Sequence, residues 1–329
     1  MFDPTLLRAP RDHGAPLRDR IERLVQEVAS GRRDDAGRAV QHDFSDAARD
    51  AALLASHATR SAALSASQRW TDRLQSALAG METSVASLAE TASTALSGPD
   101  AAGRARLAGQ AGDVLADLIG ALGTRQDGRQ VFGNGAAGAG PVGSVAAIRA
   151  DLRTAVAGAA DLADLTARVD AFFGDGGPFA TNHLTVSRAA PVRLPDGTGG
   201  QVDLDVDATS GGVRAALRAV ALLSVLPEAG SSSDPSASDL AAQAQARLQG
   251  ALTGIVDLRA DIGAVEARLS VQAADLAAER VAAEQRQSDR LGVDPAEAAT
   301  RLRQEMDRLD ATYAITARRA QLRLTGYLR

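Results

Sequence analysis

Hydrophobic side chains recur at helical spacing near the start of the chain. They fall three or four residues apart and predict one face of an amphipathic helix: Leu17, Ile21, Leu24 and Val28. Ser30-Gly31 follows and predicts the end of this helix, because glycine interrupts regular structure. A much longer helical stretch is predicted from about Asp43 to Leu96, where no proline intervenes before Gly98-Pro99.

The second half of this stretch has the heptad pattern of helices that pack side by side. Its apolar positions alternate in steps of four and three: Leu74, Leu78, Met81, Val85, Leu88, Ala92 and Ala95. Another helix is predicted from about Gly103 to Leu122. The turn-forming pair Asp127-Gly128 then predicts a β-hairpin, with Val131-Phe132 as strand-like residues beside it.

The pattern changes between about Val142 and Leu226. One short helix is predicted around Val145–Phe173. Apolar and acidic residues then alternate from Val202 to Asp207, which predicts a strand with one buried and one exposed face. Helical spacing resumes over Val213–Leu226, so this middle section predicts a small mixed domain.

The C-terminal part returns to long helices. Ser231–Pro235 predicts a polar linker, and the helix predicted after it runs to about Asp289. It carries a second heptad-like seam: Leu248, Leu252, Ile255, Ile262, Val265, Leu269, Gln272 and Leu276. Gly292 ends it, and Asp294-Pro295 starts the last helix as N-cap and first residue. That helix has its own apolar positions: Leu302, Met306, Leu309, Tyr313, Ala317, Ala320, Leu324 and Leu328.

The two halves of the chain therefore mirror each other. We expect a mainly α protein: an elongated antiparallel coiled coil or helical bundle formed by the two chain ends, with a small α+β domain inserted in the middle. Residues 1–40 with 290–329 form the expected terminal coiled-coil domain. Residues 41–141 with 235–289 form an α-rich rod with the hairpin, and residues 142–234 form the mixed outer domain.

Composition agrees with closely packed helices and excludes several classes. The chain is 45% hydrophobic but only 3% aromatic, so its apolar residues are mostly Ala, Leu and Val. A net charge of −5 does not favour a nucleic-acid partner. The absence of cysteine excludes disulfides and thiolate metal sites. No apolar run of about 18 residues predicts a membrane span, and the proline-broken first sixteen residues do not form a cleaved secretory signal.

Candidate chemical motifs are incomplete. The four histidines form no paired zinc motif and are expected at the surface: His13, His42, His57 and His183. Gly133-x-Gly135-x-x-Gly138 matches the dinucleotide pattern in letters, but no helix is predicted to open on it, and a flexible loop is expected. Asp203-x-Asp205-x-Asp207 lacks the glycine and the later acid of a calcium loop. We therefore expect no catalytic residue, cofactor or metal.

Several segments together resemble a known family. Residues 24–33, LVQEVASGRR, resemble the "LxxQxxSGKR" segment that ends the first helix of the flagellin and hook-associated family of the bacterial flagellum. Residues 127–133, DGRQVFG, are similar to its "GRYLFSG" hairpin, and Ile262-Gly-Ala matches its "xIGA". Residues 309–329, LDATYAITARRAQLRLTGYLR, resemble its C-terminus, "LxASYAxTARxxxLSLxxYL".

The resemblance implies a non-enzymatic structural subunit that packs through its terminal helices, which order on assembly. It also implies export to the extracellular flagellum without a cleaved signal peptide. The implied partners are other axial subunits (hook-associated protein and flagellin), further copies in a ring or helical array, and an export chaperone, with no nucleic acid and no membrane. The residues expected to carry self-assembly are Leu17, Ile21, Leu24, Val28, Leu302, Met306, Leu309, Tyr313, Leu324 and Leu328.

Three interpretations remain open at this point. The hairpin sequence and the moderate length favour the family members at the hook–filament junction over bulk filament flagellin. A soluble coiled-coil scaffold or signalling protein is the alternative from a different class, and an enzyme is the least favoured.

Overall fold

The structure is mainly helical, as predicted. This computed structural model describes residues 15–33, 44–97, 101–137, 140–185, 191–226 and 237–327, with side chains of the last range described for 239–318. The described helices are α1 (Ala15–Ser30), α2 (Ser45–Ala95), α3 (Ala101–Leu122), α4 (Val145–Val156), α5 (Leu162–Phe172), α6 (Gly211–Ser224), α7 (Ala237–Leu291) and α8 (Pro295–Tyr327). Two antiparallel hairpins accompany them: β1 (Arg125–Gln126) with β2 (Arg129–Gln130), and β3 (Val192–Pro195) with β4 (Gln201–Leu204).

The chain divides into two compact units. The terminal unit comprises Met1–Thr59 and Leu276–Arg329, and the central unit comprises Arg60–Asp275. Long helices lie at both ends of the chain and the strands lie in its middle part, which confirms the predicted fold class.

In the terminal unit, α1 packs against α8. Gly31 ends α1 with a φ of 66°, the left-handed conformation that suits glycine at a helix terminus. Arg32 then pairs with Gly292 in an antiparallel bridge, where the Arg33 N–H donates to the Leu291 carbonyl at 2.9 Å. Asp294 caps α8 as predicted, accepting from the Ala296 N–H at 2.8 Å.

In the central unit, both predicted heptad seams are buried along most of their length. Leu74, Leu78, Val85 and Leu88 on α2 are fully buried, as are Leu248, Ile255, Ile262 and Leu269 on α7. Arg259 on α7 hydrogen-bonds Gln75 at 3.1 Å and pairs with Glu82, which ties the two helices together at one level. Because both seams are buried in one apolar core, packing rather than helix propensity stabilises these long helices.

The rest of the central core is built by the shorter helices. α3 packs on α6. The ring centroid of Phe173 lies 4.9 Å from that of Phe172, edge to face, and 5.0 Å from that of Phe179. α6 and α7 approach closely at Gly212 and Gly254, where a Cβ on Gly254 would lie 2.8 Å from the Gly212 Cα. Asp127 and Gly128 both have positive φ, as the predicted hairpin turn requires.

Three local predictions were wrong. The single helix expected around Val145–Phe173 is two helices, because Gly158 turns left-handed at a φ of 70° and Asp161 starts a new helix as N-cap. Val131-Phe132 forms a buried turn rather than a strand. Asp207 is 4% exposed instead of facing solvent, because β4 ends at Leu204 and the Asp207 carboxylate accepts hydrogen bonds from Thr209.

Candidate assembly surface on the terminal helices

The face of α1 is only half-buried. Leu17, Ile21 and Leu24 are partly covered, whereas Val25 is 48% and Val28 37% exposed. No residue of α1 is fully buried. Among the described residues, this apolar face of α1 is therefore covered incompletely.

Helix α8 carries a half-buried strip with exposed apolar side chains on both sides of it. Ala298 is buried, and the half-buried positions that follow it at steps of three and four include Leu302 and Leu309. Met306 and Tyr313 lie at one edge of this half-buried strip and are 50% and 42% exposed, and Ile315, nine residues from Met306 and so on the opposite side of the helix, is 62% exposed. Thus the predicted seam of Leu302, Met306, Leu309 and Tyr313 runs along one strip of the helix, with Leu302 and Leu309 half-buried and Met306 and Tyr313 at its exposed edge.

The contact between α1 and α8 includes a polar interaction between Arg18 and Tyr313. The Arg18 guanidinium donates to the Tyr313 hydroxyl, with Nε 2.9 Å from the oxygen, and its Cζ lies 5.7 Å from the ring centroid. Both side chains remain exposed to solvent. This contact therefore orients α1 relative to α8 but buries little surface area. Leu328 lies outside the described residues, as does the side chain of Leu324.

Sequence reasoning missed parts of this surface. Ile315 and Val25 fall outside the 4-3 spacing of the predicted seam, and Arg18 was not singled out as a partner of Tyr313. Glu305 also lies on the partly covered side of α8, with its side chain 14% exposed and bound to Arg308 at 2.8 Å. Ile315 stands out by its exposure and not by its spacing in the sequence, so it can be recognised only in the structure.

The rejected chemical motifs have structural roles. Gly133 and Gly135 belong to a hydrogen-bonded turn rather than a flexible loop, since the Gly135 and Ala136 N–H groups already donate to Gln130 and Gly133. These amides are therefore not available to a phosphate. Asp203 pairs across the hairpin with Arg193 at 3.6 Å. Within the described ranges, no three metal-binding side chains converge.

The prediction of surface histidines was wrong for two of the four. His57 is 5% and His183 6% exposed, while His13 and His42 lie outside the described residues. His183 Nε2 lies 2.9 Å from Asp151 Oδ2, so this ring is held by a hydrogen bond in the central unit. No helix in the part of the chain that the structure describes is long and apolar enough to cross a membrane.

Carboxyl groups with lowered pKa values accept hydrogen bonds within the central unit. Arg247 forms a two-point hydrogen bond with Asp170, at 2.9 and 2.8 Å, and this bond lowers the pKa of the carboxyl group. Hydrogen bonds from the Thr198 hydroxyl and N–H lower the pKa of Asp196 in the β3–β4 turn. Neither carboxylate lies on the terminal helices.

Comparison with known proteins identifies the C-terminal part of the chain. Residues 246–328 match the family model described as the bacterial flagellin C-terminal helical region. The match covers most of α7 and α8, so this part of the chain is similar to the C-terminal helical region of flagellins. No curated protein matches the chain.

Proposed function

We propose that the chain is a non-enzymatic structural subunit at the junction of the flagellar hook and filament, assembled through its terminal helices. One observation carries the proposal: the family match covers α8, and α8 keeps Met306, Tyr313 and Ile315 exposed on the two sides of its partly covered strip. A helix with exposed apolar side chains beside a packed face gains stability by packing against further helices. Further copies of the chain, or hook-associated protein and flagellin, are the proposed partners.

Each predicted domain is proposed to have its own role in the assembled subunit. Residues 1–40 with 290–329 make the subunit contacts, residues 41–141 with 235–289 form the rod, and residues 142–234 face outward. The terminal contacts use the predicted residues on both helices, with Val25 and Ile315 added by their exposure. α1 has no fully buried side chain, so we propose that its pairing with α8 is completed only on assembly. The subunit reaches the extracellular flagellum without a cleaved signal peptide, and an export chaperone covers the terminal helices before then.

Deletion of residues 295–329 tests the proposal. We expect the shortened chain to remain soluble and helical by circular dichroism, because the core of the central unit lies outside the deleted segment. It should fail to restore filaments in cells that lack the full-length protein. Restored filaments would contradict the proposal.

Localisation distinguishes the alternatives. A junction subunit is expected in the sheared-flagella fraction, with gold-labelled antibody confined to one point near the hook. Bulk flagellin would label the filament along its length. A soluble coiled-coil scaffold would stay in the cell lysate and leave the flagellar fraction unlabelled.

A further inference from the structure

The buried residues of α2 change from mostly apolar to polar along the helix. In the central unit, α2 residues seven apart are buried and uncharged: Leu64, Thr71, Leu78, Val85 and Ala92. In the terminal unit the same spacing places Asp50 and His57 at 4% and 5% exposure. Over residues 44–59 these two polar side chains are the buried ones, whereas Leu53 is 38% exposed.

The charges around Asp50 are close but poorly aligned. Asp50 Oδ2 lies 3.2 Å from Arg290 Nη1, and Asp50 Oδ1 lies 3.8 Å from Arg286 Nε. Asp46 adds a second carboxylate 3.3 Å from Arg290. Asp50 Oδ2 and Arg290 Nη1 are both buried atoms without a hydrogen bond, so the attraction between them is Coulombic and lacks the directional contribution of an aligned pair.

His57 repeats this arrangement one heptad along α2. Its Nδ1 lies 3.8 Å from Glu279 Oε2 and makes no hydrogen bond. Across the helix pair, Leu276 and Ala283 are the buried side chains of residues 276–291. Ala283 offers little apolar area, so this stretch has much less hydrophobic stabilisation than the seam in the central unit.

Such a contact is sensitive to salt. A buried carboxylate loses hydration, and a partner without aligned hydrogen bonds restores little of that loss. Asp46 and Arg286 are also 62% and 50% exposed, so mobile ions reach their charges. A segment with few apolar contacts opens locally at low free-energy cost.

We propose that residues 45–59 of α2 and 276–291 of α7 form a salt-sensitive joint that opens and closes reversibly, while the apolar α2–α7 seam of the central unit stays closed. The joint is held by Asp50, His57 and their partners on α7. Opening frees the buried sides of both helix segments for other contacts. This inference concerns the isolated chain and does not depend on the proposed role in the flagellum.

Amide hydrogen exchange on the full chain tests the joint directly. Peptides from residues 45–59 should exchange faster than peptides from residues 74–88 of the same helix. Raising sodium chloride from about 0.05 M to about 0.5 M shortens the Debye length from roughly 14 to roughly 4 Å and should speed exchange in residues 45–59 by roughly tenfold relative to 74–88. Equal exchange in the two segments, or no effect of salt on their ratio, would overturn the proposal.

Apolar replacement provides the second measurement. The double change Asp50→Leu with His57→Leu should slow exchange in residues 45–59 and remove its salt dependence, because it extends the apolar column of α2. Arg280→Ala is the matched control, since it breaks an exposed pair with Glu284 on the same stretch of α7 and should leave the joint unchanged. Salt dependence that persists in the double variant would refute the role of Asp50 and His57. The salt comparison on the unaltered chain is decisive even where the variant folds poorly.

Discussion

The exposed apolar residues of α8 allow a quantitative prediction for assembly. Ile315 is 62% and Met306 50% exposed on opposite sides of the helix, and on the proposed function both are covered by neighbouring subunits. Changing either residue to serine should leave the fold of the isolated chain intact, because substitutions at such exposed positions usually alter stability by no more than about 0.5 kcal/mol. The same changes remove apolar area that assembly would bury.

The exposed fractions set the expected magnitude. Fully burying a side chain of this size is worth about 1.5–3 kcal/mol. Scaled by exposure, assembly would gain about 1–2 kcal/mol from Ile315 and about 0.8–1.5 kcal/mol from Met306. The two positions lie about 13 Å apart along the helix, far enough for their effects to be nearly independent. Each loss of about 1.4 kcal/mol weakens the association constant tenfold. The double variant should therefore need a concentration about 20- to 300-fold higher to assemble.

Sedimentation of the purified chain measures that concentration, and recovery in the sheared-flagella fraction measures the same effect in cells. Val256→Ser is the matched control, since Val256 is 47% exposed but lies on α7 in the central unit. The control should assemble like the unaltered chain. An unchanged assembly threshold in the Ile315→Ser, Met306→Ser variant, with its helicity intact, would refute the assignment of these two residues to subunit contacts.

Three further predictions concern stability. Gly254→Ala should lower the free energy of unfolding by about 1–3 kcal/mol, because its Cβ would meet the Gly212 backbone, whereas Gly250→Ala, with nothing within 4 Å, should raise it by up to about 1 kcal/mol; urea unfolding of the two variants compares them. Asp170 has a lowered pKa because of its hydrogen bond to Arg247, so its contribution is present at neutral pH and lost as the pH falls through the folded-state pKa; thermal unfolding of Arg247→Met should show a weaker acid dependence. Leu302→Ala should speed amide exchange in α1 as well as α8, because Leu302 is half-buried in the unit where those helices pack; an effect confined to α8 would place Leu302 outside that contact.

Much of the fold was predictable because long helices impose a repeating pattern on the sequence. The seams through Leu78 and Ile262 are buried as their spacing indicates, and Asp294 starts α8 as its position before Pro295 predicts. These signals are local, so they do not depend on what else packs nearby. The same holds for the Asp127-Gly128 turn.

The features that were missed depend on distant neighbours. His57 is buried because α7 passes over it, and nothing in the residues around it differs from a surface helix. The pattern does not predict the break at Gly158, because one glycine is tolerated in many helices. In the structure, Asp161 caps the start of a new helix after it. Asp207 shows the opposite limit: the alternation predicts that it lies on a strand face, but β4 ends at Leu204 and Asp207 instead caps the turn that follows.

The candidate site shows why spacing alone assigns too much to one contact. A helix that packs on its own chain and then on a neighbour needs apolar residues on more than one face. The 4-3 spacing places Leu302, Met306, Leu309 and Tyr313 along one strip of α8, but Leu302 and Leu309 are half-buried whereas Met306 and Tyr313 lie at the exposed edge of that strip. This difference in exposure becomes visible only when α1 is in place, because α1 packs against α8. It follows that leucine-to-alanine changes on the covered face should act first on the fold of the terminal unit, whereas changes at Met306 and Ile315 should act first on assembly.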